Sequence, residues 1–220
     1  MKNALQFGEE VDGYNINVLN EREIRAAAGL LFFAVFLSLM FILFEGNFVP
    51  VKYVLTAFLT DFIIRIFVSP KYSPTLIIGR LIVRNQNPEY VGAQQKKVAW
   101  MIGLILSATM FVLLVVVNAY SVITGIVCLI CLIFMFFETA FGICIGCKLY
   151  GLFYKDKAQY CPGEICDLKT KSEIQKTSVV QIAIVLIFIS FLLATAKFFD
   201  TTFHEKPHNL FENQATEKIK

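Results

Sequence analysis

Charged side chains are scarce in this chain. They make up 17% of its 220 residues, against about a quarter in an ordinary soluble domain. The net charge is only +3 and no basic run occurs, so nothing argues for nucleic acid as a partner. No Gly-rich phosphate loop, H-E-x-x-H, G-x-S-x-G or kinase motif is present, which removes the usual sequence grounds for a nucleotide-binding or hydrolytic enzyme. Internal repeats, low-complexity tracts and coiled-coil heptads are missing as well, excluding a solenoid or a long coiled coil. The polar segment 1–25 lacks the basic-then-apolar order and small-residue cleavage site of a removable signal, so insertion is expected through an uncleaved span.

Long apolar runs are what the chain has instead. Apolar residues make up 57%, with 22 Phe, and the mean hydropathy is +0.65. A membrane-crossing helix needs roughly 20 mostly apolar residues. Segments 26–44, 98–117, 120–145 and 179–199 meet that need, and 48–68 is a fifth despite Lys52, Asp61 and Arg65. The expected fold is therefore all-α: a polytopic membrane bundle of five spans within one domain, 26–199, followed by a polar tail, 200–220. Asn20, with Glu23 three residues on, marks the start of the first helix. Arg25 falls at the membrane edge. The "NAYS" turn is short enough to make spans three and four an antiparallel pair. Ser73 and Pro74 open a short helix over 74–84 with Arg80 and Arg84 on one face. That helix lies in the interface with its arginines toward headgroups or a partner, or is a linker buried on the spans.

Lysines and arginines set the expected orientation. The segment between spans two and three carries Lys71, Arg80, Arg84, Lys96 and Lys97, and six lysines lie between spans four and five. The loops on the other side hold only Lys52. This places the N-terminus in the cytosol and the C-terminus outside, against the weaker pull of the lysine-bearing tail.

Three groups of residues can carry chemistry. Asp61 and Arg65 sit four apart, close enough to pair on one helix face, either as a proton or substrate site or as a structural clasp. Glu138 shares a face with Cys131, with Cys128 nearby, and its candidate partners are Arg65, Arg25 or water. The third group is "FGICIGCKLYGLFYKDKAQYCPGEIC", which places Cys144, Cys147, Cys161 and Cys166 in a loop over 144–178. Cys144 and Cys147 form a vicinal dithiol if the helix continues unbroken, suited to disulfide exchange, persulfide transfer or metal capture. The full spacing, C-x2-C-x13-C-x4-C, also admits a zinc site built from all four cysteines. A loop with no chemistry stays open beside both. On the cytosolic side a permanent disulfide is not expected. His204 and His208 read as part of a solvated tail, and Trp100 as an interfacial anchor.

"NEREIRAAAG", "DFIIRIFVSPKYSP" and "ETAFGICIGCKLY" together resemble a bacterial membrane family, domain of unknown function 4395, over roughly residues 20–150. The matching positions include Asp61, Arg65, Ser69, Pro70, Ser73, Pro74, Cys144, Gly146 and Cys147; Cys161 and Cys166 fall beyond them. The resemblance implies an inner-membrane location. It also implies a sulfur or redox role beside thioredoxin-like or rhodanese-like proteins, with Cys144 and Cys147 as the exchanging pair. No resident cofactor is expected unless the four cysteines hold zinc. Two rival expectations are a small transporter or channel subunit using Asp61, Arg65 and Glu138, and a non-catalytic scaffold whose four loop cysteines bind metal.

Overall fold

The structure, a computed structural model, describes residues 7–12, 14, 16–146 and 177–209. Cys147, Cys161 and Cys166 lie outside the described residues.

Helix α1 (Glu21–Glu45) starts where the sequence places its cap: the Asn20 side chain accepts from the Arg22 N–H, and its amide donates to Glu23. Glu23 thus meets the cap side chain rather than the cap backbone. At about 1.5 Å per residue, α1 is about 37 Å long. It stops at Gly46, whose left-handed φ of 62° lets its N–H close the last turn. Helix α2 (Val49–Ile63) continues into a π-helical turn, Ile64–Val68, before Pro70 forces Ser69 into an extended conformation.

Helix α3 (Pro74–Ile82), capped by Ser73, is slightly shorter than expected. It lies directly on α1, because Gly79 brings the two backbones together: a Cβ there would sit 2.6 Å from the Glu23 carbonyl oxygen. Arg80 is buried against Glu23 instead of facing headgroups, while Arg84 stays exposed. One face of α3, with Leu76, Ile77, Gly79 and Arg80, is buried on the bundle, while Leu81 and Ile82 are exposed.

A short antiparallel pair, β1 (Val18–Asn20) and β2 (Tyr90–Gly92), leads into α4 (Ala93–Phe111), which ends in a second π-helical turn, Val112–Val116. After β3 (Ala119–Tyr120) a capping box of Ser121 and Thr124 opens α5 (Val122–Phe141). Another, of Ser178 and Gln181, opens α6 (Val179–Phe198). The short α7 (Asp200–His204) and β4 (His208–Asn209), parallel to β3, complete the described chain.

Among the described residues, four helices are long and apolar enough to cross a membrane: α1, α4 with its π-helical turn, α5 and α6. The exterior is apolar, with Leu43, Ile105, Val116, Leu186 and Ile187 all at least 60% exposed. The interior holds the charge. Lys52, Asp61, Arg65 and Lys96 are each no more than 2% exposed. Such an inverted distribution suits hydrocarbon as the solvent, since a charge facing lipid is costly and one facing protein can be paired.

Successive long helices run in opposite directions, so the bundle has two distinct ends. The α1 start, the α2 end, α3, the α4 start, the α5 end and the α6 start share one, called here the near end. At the far end, residues 200–209 fold back over the bundle. The Lys52 ammonium donates to Asn118 Oδ1 (2.8 Å) and to the carbonyls of Glu205 (2.7 Å) and Thr202 (3.3 Å). Asn118 adopts φ 54°, a left-handed conformation that asparagine tolerates better than most residues. Phe203 packs on Tyr53 beneath this strap.

Candidate functional site

At the near end, the π-helical exit of α2 and the start of α3 enclose a buried polar centre. Arg65 Nε donates to Asp61 Oδ2 (2.7 Å) and Ser73 Oγ (3.2 Å), and Arg65 Nη2 to Thr75 Oγ1 (2.5 Å). Asp61 Oδ1 accepts from the Ser73 hydroxyl (2.7 Å) and the Thr75 backbone N–H (3.0 Å). The Thr75 hydroxyl lies 2.7 Å from Asp61 Oδ2. The guanidinium stacks on Phe62 and Trp100, 4.7 and 5.1 Å from the ring centroids. Both carboxylate oxygens are thus engaged within the protein, the arrangement of a clasp joining α2, α3 and α4. Trp100, only 5% exposed, is a buried platform for Arg65 rather than an interfacial anchor.

A second polar layer joins α1, α4 and α5. Lys96, in the first turn of α4, pairs with Glu21 Oε2 (3.0 Å) and with Glu138 Oε1 (2.5 Å). Glu138 therefore has a cation, and it is neither Arg65 nor Arg25. Beside this layer Arg80 pairs with Glu23 (3.1 Å), and Arg22 with Glu89 (2.6 Å). Lys96 and Arg80 fall between two apolar runs in the sequence and read there as loop charges, yet both are buried in ion pairs.

The α5 helix ends at Gly142 in the left-handed conformation, φ 64°, so it does not run on unbroken through Cys144. Ile143 and the glycine both donate to the Phe137 carbonyl. The Arg25 guanidinium lies directly across Gly142, where a Cβ would overlap it. Gly146 seats the following turn on Ala99 of α4, since a Cβ there would come within 2.6 Å of the Ala99 Cβ. Between these two glycine contacts sits Cys144, half-buried and disulfide-bonded. Its partner is neither Cys128 nor Cys131, which are free thiols within α5.

A disulfide sulfur is not a thiolate, so in this oxidised state Cys144 offers zinc no ligand. The other three members of the candidate four-cysteine set lie outside the described residues. Among the described residues no three His, Cys, Asp or Glu side chains cluster as a metal site. His204 and His208 are both exposed: His204 bonds back to the Asp200 carbonyl, and His208 sits in β4.

An apolar-surfaced helical bundle with its charges paired inside defines the class: an α-helical membrane protein. The family model described as Domain of unknown function (DUF4395) matches residues 19–155, and the chain belongs to that family. The match covers the clasp, the Lys96 layer and the Cys144 segment, and stops before α6. No curated protein and no solved structure shows a match to the chain.

Proposed function

We propose that this is a bacterial inner-membrane protein of five spans whose near end faces the cytosol and exchanges a disulfide with a soluble dithiol protein of the thioredoxin-like or rhodanese-like kind. The fifth span is α2 with its π-helical turn; its three charges all turn inward, so its length suffices. Lys and Arg placement supports this orientation. Arg22, Arg25, Arg65, Lys71, Arg80, Arg84, Lys96 and Lys97 gather at the near end, against Lys52, Lys197 and Lys206 at the far end.

The observation that carries the proposal is the disulfide on Cys144 just past the end of α5. On the cytosolic side, disulfides are mostly transient and catalytic or redox-sensing. In the exchange, a partner thiolate attacks one sulfur of this disulfide. A mixed disulfide forms and the other sulfur leaves as a thiolate. The second partner thiol, after losing its proton, then displaces the mixed disulfide. This chain ends with two thiols and the partner with a disulfide, two electrons having passed between them. Cys147 is the proposed second member of the pair, with Cys161 and Cys166 as a further pair that passes the disulfide on. Transport through Asp61, Arg65 and Glu138 would require the clasp and the Lys96 layer to break.

Trapping tests the proposal. The oxidised protein in nanodiscs is mixed with a reduced thioredoxin-type protein whose resolving cysteine is replaced by serine. A covalent adduct is expected on a non-reducing gel, and Cys144→Ser and Cys147→Ser should each abolish or sharply reduce it. Adducts of unchanged yield in both variants would overturn the reading.

A further inference from the structure

Arg25 occupies an unusual position for a cation in this molecule. Glu21 Oε1 lies 3.5 Å from its Nε and Glu89 Oε2 3.7 Å from its Nη1, both longer than a charge-assisted hydrogen bond. Among the described residues its buried Nε has no hydrogen-bond partner. Two neighbouring cations make closer ion pairs, Lys96 with Glu21 and Glu138 and Arg22 with Glu89, although the Arg22 Nε likewise has no hydrogen-bond partner among the described residues. The Arg25 guanidinium instead lies over the backbone of Gly142, a close approach that only glycine permits. Cys144 is two residues farther on, within about 7 Å of that backbone along even an extended chain. Cys144 also lies just past the C-terminus of α5, and a helix C-terminus disfavours a nearby anion.

We infer that Arg25 is a positioning residue for Cys144: its loosely paired guanidinium offsets the negative end of α5 and stabilises the thiolate released when the disulfide opens. The inference rests on the proposed exchange and deepens it, because the sulfur beside the cation becomes the better leaving group. A partner thiolate then attacks the other cysteine of the disulfide, and Cys144 departs with the bonding electron pair. Among the described residues, the charged groups gathered at this end of α5 are Arg25 and Glu21 from α1, Glu89 before β2, Lys96 from α4 and Glu138 from α5. Among the described residues, Arg25 is the cation laid against Gly142, two residues before Cys144.

The test needs no partner protein, so its failure is distinct from failure of the exchange reading. Full-length protein retaining Cys144 alone, the other five cysteines replaced by serine, is reduced in nanodiscs and alkylated with iodoacetamide across pH 6–10. Arg25→Gln is expected to slow alkylation at pH 7 about ten-fold and move the profile to higher pH, as loss of a nearby opposite charge does. Arg25→Lys should recover most of that loss, and Arg22→Gln should leave the profile in place. A second measurement uses the Cys144-only protein without further change. Raising salt to about 1 M shortens electrostatic reach to about 3 Å and should slow alkylation at pH 7 several-fold. Superimposable profiles for Arg25 and Arg25→Gln, or no response to salt, would overturn the inference.

Discussion

Asp61 is the residue on which the near end depends. It is fully buried and holds Arg65, Ser73 and Thr75 together. Asp61→Asn leaves Arg65 buried without its counter-charge, a change that costs about 3–5 kcal/mol in comparable buried pairs. Unfolding of the purified protein in mixed detergent micelles should show a loss of that order. The double variant Asp61→Leu with Arg65→Met should lose less than Asp61→Asn alone, because it leaves no orphaned charge. Gly142 is the second sensitive position. Gly142→Ala imposes a left-handed φ on a residue with a side chain and displaces Arg25. It should lower stability by about 1–2 kcal/mol, read from the melting temperature in detergent. The Asp61–Arg65 pair was legible in the sequence because its members are four residues apart. The Glu138–Lys96 pair was not, because 42 residues separate its members. Spacing along one helix carries no information on which helix packs beside it.

At the scale of elements, the long apolar helices, the Asn20 cap and the α4–α5 turn followed directly from sequence pattern. The end of α5 did not. Apolar character runs on past Gly142, and what stops the helix there is a glycine in a left-handed conformation under an arginine from α1. Residues 200–209 were read as the start of a polar tail, which their composition suits, yet Lys52 collects their carbonyls into a strap over the far end. Lys52→Met keeps the length of the side chain and removes its three hydrogen bonds. Backbone amides of 200–209 should then exchange at least ten-fold faster in hydrogen–deuterium exchange, while those of α1 and α3 stay unchanged. Uniform acceleration across the bundle would show instead that Lys52 holds the whole fold.

Across the whole molecule, the described residues gather Asp61, Arg65, Arg80, Lys96 and Cys144 at one end, with the buried Lys52 at the other. Three buried polar clusters at the near end, around Asp61, Lys96 and Arg80, join α1, α2, α3, α4 and α5 into one platform. The half-buried Cys144 sits at its edge. Composition made the membrane class legible, whereas the platform arises from packing between helices distant in the chain. The proposed exchange requires this end to face the cytosol and to carry an exchangeable disulfide. The most direct measurement is impermeant maleimide labelling of Cys144 in inverted and right-side-out membrane vesicles, each before and after adding a reduced thioredoxin-type protein. Labelling is expected in inverted vesicles only, and only after the reduced protein is added. Labelling confined to right-side-out vesicles, or a disulfide on Cys144 that the reduced protein leaves intact in both, would contradict it.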